Sequence, residues 1–420
     1  MNYLVLCPHF EPDLHAATGE VMTRLVHGFA ARGHRIDVVT SLPWYHHHDV
    51  DPDWRGRPFR RERTDFGSIT RVWPFPTEKS NIPARALGFG GFTSLATAAA
   101  LTLARPDVVL AMSPPIFLGD AAWLVARRWG VPFVFNVQDI FPDVAIELGA
   151  LANERVIELS RRHERSIYRR ADAVTVLSED QATNVRAKTD PAKVHIIHNF
   201  VDLDRIQVID GPTAYRARHG LTDELLVMYS GNVGLSQSFD LVRGAAEALA
   251  DRDDVRFAVN GEGAARPDVD RWAASLDNVI VTDFAPREDV SDVLGSADLH
   301  LILLKTGLSR SSTPSKLYGI LAAGRPLLAS IDAGSEVDRI VSQADAGCSV
   351  EPENPAAFLA ALEDLLSNRA ALRDMGRRAR SFVERCLTPE AQAEAYDDLF
   401  RRLVLGRQEV GTGPREDRDV

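Results

Sequence analysis

Short runs of aliphatic residues alternate with stretches of helical periodicity along almost the whole chain, and that alternation confines it to the α/β class with parallel sheets. The run 3–7 is apolar. Val21, Leu25, Val26 and Phe29 then recur at helical spacing as far as Gly33, and 36–40 is apolar again. Strand, helix, strand at this spacing is a βαβ unit. Further strands are expected at 108–112, 133–137, 173–177 and 194–198, with helices over 116–129 and 154–170. Around 205–222 the texture turns polar, with Gly211, Pro212 and Gly220, and the alternation then starts afresh at 225–229. A length of 420 residues suits two such domains. The expected organisation is a Rossmann-like domain over 1–205, a linker over 206–222 and a second Rossmann-like domain over 223–387. A helix over 388–405 returns to the first domain, and a disordered tail over 406–420 completes the chain. Two such sheets, with their carboxyl edges facing across a cleft, would grip a ligand from both sides.

The stretch 311–324, SSTPSKLYGILAAG, is the densest signal in the second half. Thr313 is a good N-cap, Pro314 sits where its missing N–H costs nothing, and Gly324 ends the helix before Pro326. Leu317, Ile320 and Leu321 fall on one face. First-turn amides, together with Thr313, Ser315 and Lys316, would then point at an anion, because the positive end of the helix dipole lies there. Two readings fit: a diphosphate pocket, or an ordinary capped helix with a solvated lysine. Gly231-Asn232-Val233-Gly234, between a strand and a helix, is a plausible phosphate-approach loop. Gly261-Glu262-Gly263 is not continued as G-x-G-x-x-G and no Walker A sequence occurs, so a dinucleotide dehydrogenase is poorly supported. Asp139 follows the strand 133–137 at its carboxyl end, where such sheets face their ligands; simple helix N-capping is the alternative.

A net charge of −11 argues against a general nucleic-acid binder. Three distant cysteines, Cys7, Cys348 and Cys386, make neither a disulfide framework nor a zinc spacing, and a reducing compartment is expected. The start of the chain reads as a strand rather than a leader peptide. The uncharged run 86–104 is rich in Ala, Gly and Thr, which favours a buried core helix over a spanning one. A helix lying shallowly in a membrane interface, flanked by Arg85 and Arg105, is the second reading. Adjacent His46, His47 and His48 cannot all aim at one ion, so no metal is expected there. Arg57, Arg60, Arg61 and Arg63 make 57–63 a basic loop that could meet phosphate or anionic lipid, though a solvated face is the usual outcome.

With these residues in view, the chain resembles the retaining GT-B glycosyltransferases of family 4 over about 1–400. The resemblance rests on Gly33–Thr40 as "GHxVxVVT", Ser178-Glu179, Asn199-Phe200-Val201-Asp202, Gly261-Glu262-Gly263 as "G-D/E-G", and Ala322–Pro326 as "A-x-G-x-P". Within the family it is most similar to the bacterial L-fucosamine transferase-like group of polysaccharide assembly. That likeness lies in Ser113–Phe117, the QDIFPD stretch from Gln138, SGNVG from Ser230, and PSKLYGILAAG. The resemblance implies a nucleotide-sugar donor, commonly UDP-linked, and a lipid-linked or glycan acceptor. It also implies a cytoplasmic enzyme, peripheral at the inner face of the cell membrane, with no cofactor and no metal. It assigns the leaving diphosphate to Lys316 and the 313–316 amides, with Gly231, Asn232 and Gly234 on the same wall and Gly261 and Glu262 beside the donor. Gly19 would let a first-domain loop approach the phosphates. Glu336 would hold the transferred sugar or the ribose, and Asp139 would orient the acceptor or the sugar hydroxyls. In a retaining transfer of this kind the protein supplies charge stabilisation and positioning. The chain also departs from the family. Ser311 and Gly319 stand where a Glu-x7-Glu pair is usual, Asn232 and Gln237 where an Arg and a Lys bind the diphosphate, and Gln138 where a His precedes the Asp. A sugar-nucleotide epimerase and a non-catalytic nucleotide-sugar binding protein are the competing readings, the second suggested by the missing Glu pair.

Overall fold

The computed structural model describes residues 1–14, 17–44, 49–56, 58–76, 82–147, 151–308 and 316–411. Two compact units emerge: Met1–Asn199 together with the chain from Pro389 onward, and Phe200–Thr388.

The first unit is built on eight strands: β1 (Asn2–Leu6), β2 (Arg35–Ser41), β3 (Phe59–Thr64), β4 (Gly67–Val72), β5 (Val108–Ser113), β6 (Phe133–Val137), β7 (Ala173–Val176) and β8 (Val194–Ile196). Their order is β3-β4-β2-β1-β5-β6-β7-β8. All neighbours pair parallel except β3, which runs antiparallel to β4 at the edge. The central strands are apolar on both faces because helices cover both, and β5 is buried at every position. One face packs Leu4, Leu6, Val39 and Val72 against the helices Ile82–Leu101 and Leu118–Trp129. The other packs Val5, Ile36 and Val38 against helix Ala17–Ala31 and the C-terminal helix Pro389–Gly411. Gly130 ends helix Leu118–Trp129 in the left-handed region (φ 65°), where glycine meets no Cβ penalty.

The second unit holds six parallel strands: β9 (Leu225–Ser230), β10 (Val255–Asn260), β11 (Val279–Thr282), β12 (Leu299–Leu303), β13 (Leu327–Ser330) and β14 (Gly347–Val350), ordered β11-β10-β9-β12-β13-β14. One core joins β9, β10 and β12 to helices Phe239–Ala248 and Pro355–Leu366. Another joins β12 and β13 to helices Lys316–Ala322, Glu336–Ala344 and Arg369–Cys386.

Several expectations are corrected. The boundary falls after Asn199 rather than at 205, and 206–222 is no linker but part of the second unit. There, helix Ala214–Arg218 is capped by Thr213, Tyr215 is buried, and the Ala214 and Tyr215 amides donate to the Asp292 carboxylate at 2.8 Å. Polar composition hid this segment because its anchors are hydrogen bonds rather than apolar periodicity. The basic stretch expected as a loop is strand β3, held by the β4 ladder. Residues 406–411, expected in a disordered tail, continue the last helix. Strand β14 and helix Arg266–Ala273 went unanticipated because neither carries a strong apolar period. The helix Ile82–Leu101, which carries most of the uncharged run, is only half core: Phe92, Ala96 and Ala99 are buried, whereas Leu87 is 79% exposed. No helix among the described residues is long and apolar enough to cross a membrane.

Candidate functional site

In the second unit, two glycine turns leave the carboxyl ends of neighbouring parallel strands and lock together. Gly231 follows β9 and Gly261 follows β10, both with positive φ (140° and 143°). A Cβ at Gly261 would lie 1.9 Å from the Gly231 carbonyl oxygen, so only glycine permits this approach. The Gly231 N–H donates to the Asn260 carbonyl at 2.9 Å and the Val233 N–H to the Glu262 carbonyl at 2.8 Å. Gly234 donates its N–H to Gln237 Oε1 at 2.8 Å. Asn232 and Glu262 are both exposed on this surface.

Lys316 opens helix Lys316–Ala322 and reaches the same turn. Its Nζ stands 3.7 Å above the centre of the Tyr229 ring, and its Cε and Nζ would lie 3.2 and 3.1 Å from a Cβ at Gly231. The Tyr229 hydroxyl donates to the Asn232 carbonyl at 2.6 Å, which fixes the ring beneath the ammonium. No carboxylate lies within ion-pair distance of Lys316 among the described residues, and burial pushes its amine down to about 7. The lysine and the SGNVG glycine thus meet. Tyr229 was missed; its place at the end of an apolar strand read as core. Thr313, Ser315 and Ser311 lie outside the described residues, as does the histidine run 46–48.

Glu336 begins helix Glu336–Ala344 after β13, capped by the Ser335 side chain. It is 3% exposed and pairs with Arg339 at 3.0 Å. The Tyr318 hydroxyl is raised by burial and by the charge of Glu336. Gly319 stands where the resemblance puts the second glutamate of the Glu-x7-Glu pair. A Cβ there would rest 3.6 Å from Ile206 Cδ1 and from Leu294 Cδ1. A glutamate at 319 would start among apolar side chains, so Gly319→Glu is expected to lower the free energy of unfolding by about 1–3 kcal/mol without tightening UDP. Parallel thermal unfolding and UDP titration check this.

In the first unit, Asp139 follows β6 and is exposed; no hydrogen bond reaches its carboxylate among the described residues, and the desolvation it does feel raises its pKa. Its neighbour Gln138 is buried and committed. Its Nε2 donates to Asn136 Oδ1 at 2.8 Å and its Oε1 accepts from Asn199 Nδ2 at 2.9 Å. Gln181 donates to its carbonyl at 3.0 Å, and Asn136 donates to the Tyr396 hydroxyl at 2.8 Å. A side chain held at both ends positions the strand exit rather than moving a proton. Gly19 has a packing reason: a Cβ there would lie 2.4 Å from the Asp13 carbonyl oxygen and 3.1 Å from His9 Cβ. The approach it permits is of helix Ala17–Ala31 to the loop after β1, where His9 and Asp13 form a buried pair at 3.1 Å. Among the described residues no three His, Cys, Asp or Glu side chains group as a metal site.

Comparison with known proteins agrees with this architecture. Residues 17–199 match the model of a glycosyl transferase 4-like domain, and 224–368 that of glycosyl transferases group 1. The chain is 27% identical over 405 residues to the colanic acid biosynthesis glycosyl transferase WcaI of Escherichia coli (strain K12), covering 93% of this chain and 97% of that one. Among solved structures it superposes on the sucrose-phosphate synthase of Thermosynechococcus elongatus with TM-score 0.68 at 16% identity, covering 97% of this chain and 100% of that one. It superposes on Anabaena HepE in complex with UDP-glucose with TM-score 0.61 at 13% identity, covering 96% and 100%. At those identities the structural likeness speaks for the fold, which is the two-domain GT-B arrangement of parallel α/β sheets.

Proposed function

The chain belongs to the glycosyltransferases of GT-B fold, a glycosyl transferase 4-like domain followed by a group 1 domain, and on that ground we propose that it transfers a sugar, with retention, from a UDP-linked donor to a lipid-linked or glycan acceptor in cell-envelope polysaccharide synthesis. The observation that carries this reading is the Lys316 ammonium held over Tyr229 and against Gly231, with no carboxylate within ion-pair distance among the described residues. A cation so placed, beside backbone that only glycine allows, suits the developing charge of a leaving diphosphate. The glycosyl transferase WcaI and the UDP-glucose complex of HepE lend support for the acceptor pathway and for the donor base respectively.

In this mechanism Lys316 and the amides at the start of its helix carry the diphosphate, and Gly231, Asn232 and Gly234 line its wall. Gly261 and Glu262 stand beside the donor. Glu336 holds the sugar or ribose hydroxyls, and Asp139 orients the acceptor. With charge met by lysine and amides, the reaction calls for no metal and no cofactor. We place the chain in the L-fucosamine transferase-like group, working in the cytoplasm at the inner membrane face. A panel of UDP-, GDP- and ADP-sugars read by thermal shift tests the donor. A rise of the midpoint confined to UDP-sugars is expected, and a response to GDP- or ADP-sugars alone refutes the UDP assignment. Sugar transfer to an acceptor separates this reading from an epimerase, and turnover separates it from a binding protein.

A further inference from the structure

The edge strand β3 carries three arginines and one glutamate, Arg60, Arg61, Glu62 and Arg63, and its two faces are treated differently. On one face Glu62 pairs with Arg71 at 3.1 Å and with Arg60 at 3.5 Å. Both guanidiniums also stand over the Trp54 ring, 4.3 and 4.9 Å from its centre. On that face both guanidiniums share the Glu62 carboxylate. On the opposite face the ladder sets Asp37, Ser68 and Arg63 in one row across β2, β4 and β3, and Val39, Thr70 and Arg61 in the next. Arg35, two residues before Asp37 on β2, shares their face. Arg35, Arg61 and Arg63 are exposed, and none has a carboxylate within ion-pair distance among the described residues. Together they line an open depression of about 790 Å³, with Asp65, Phe66, Gly67 and Ser68 also in its lining.

Two features keep the depression open and positive. A Cβ at Gly67 would strike the Ile36 carbonyl oxygen at 2.1 Å, so the turn lies flat on β2 and adds no side chain to the floor. Asp37, beneath Ser68, is buried and accepts the Ser68 hydroxyl instead of an arginine, which leaves Asp65 in the lining against three guanidiniums. Arginines on an edge strand also deter strand-to-strand association. That role needs neither a third guanidinium from β2 nor a hollow between them.

We propose that Arg35, Arg61 and Arg63 form a phosphate-binding site at the amino-terminal edge of the first sheet, the edge opposite to that bearing Asp139. Three guanidinium forks suit the oxygens of a phosphate mono- or diester, which they grip bidentately. Such a group is offered by an anionic lipid headgroup or by a soluble phosphorylated molecule.

Binding of inorganic pyrophosphate by calorimetry, and co-sedimentation with vesicles of phosphatidylcholine with or without phosphatidylglycerol, test this on the full chain. Wild type is expected to bind, and the double substitution Arg61→Gln/Arg63→Gln to weaken binding by about ten-fold or more. The Lys pair at the same positions should recover part of it. Retention on phosphatidylglycerol vesicles alone identifies the headgroup as the source; pyrophosphate binding without vesicle retention identifies a soluble ligand. Absence of both in wild type, or undiminished binding in the Gln pair, overturns the proposal. UDP titrations and unfolding midpoints of the same variants, expected to be unchanged, separate this site from the donor wall and from loss of folding.

Discussion

Lys316→Ala is expected to lower turnover by about 10²–10³-fold, the range for removing one donor of charge stabilisation at a reacting centre. UDP binding weakens with it, while the free protein becomes more stable at neutral pH. The last part follows from linkage. The amine sits at about 7 in the folded chain because burial disfavours its charge, whereas an unfolded lysine titrates near ~10.4. Between those values the unfolded state binds more protons, so this group costs stability that is recovered as pH rises. Donor binding runs the other way. A diphosphate favours the ammonium, so above pH 7 binding must take up a proton and UDP affinity falls by up to about ten-fold per pH unit. Titrations from pH 7.5 to 9, where the terminal phosphate of UDP stays ionised, read this slope, and in Lys316→Ala it should flatten. Lost turnover together with unchanged stability and an unchanged pH slope would remove Lys316 from the donor wall.

Asp397→Ala is expected to cost about 3–5 kcal/mol, the range for breaking a buried ion pair by removing one partner. Asp397 lies on the last helix, fully buried. It accepts from the Tyr3 hydroxyl at 2.6 Å, from His34 at 3.0 Å, and from Arg32 and Arg401 at 3.2 Å each. Burial by itself would raise this carboxyl, but hydrogen bonds from Tyr3, Arg401 and His34 outweigh it and hold the group well below the usual carboxylate range. Burial lowers His34, which therefore stays neutral at pH 7 and donates through Nε2. A depressed carboxyl contributes stability that is present above its unfolded pKa of ~3.9 and is lost as pH falls towards the folded value. Urea unfolding of wild type and Asp397→Ala should thus differ most at neutral pH and converge in acid. Proteolysis near residue 388 is the second readout, since the helix would leave helix Ala17–Ala31 first.

The elements were legible where apolar residues repeat. Helix 154–170 and the strands 108–113, 133–137 and 225–230 lie close to where periodicity put them, because burial on one face or two imprints a period on the residues. The segment 206–222 was misread for the complementary reason: Thr213, Arg216 and Asp292 hold it by hydrogen bonds, which leave no period. In the site, the glycines at 231 and 261 stood out through their turns. The partner of Lys316 did not, since Tyr229 differs from any core tyrosine only by what stands above its ring.

By itself the sequence determined the fold class, the two-domain plan and the glycine turns at the ends of strands, since local propensity and apolar period carry that information along the chain. Only the tertiary structure decided which side chains meet. Lys316 and Tyr229 are brought together by parallel strands and their crossovers, Asp397 and Tyr3 by the return of the last helix to the first sheet, and Arg35 and the β3 arginines by the pairing of β2, β4 and β3. Residues far apart in sequence become neighbours only when such a sheet closes. Their charges, once desolvated or left unpaired, then acquire properties that no residue has alone.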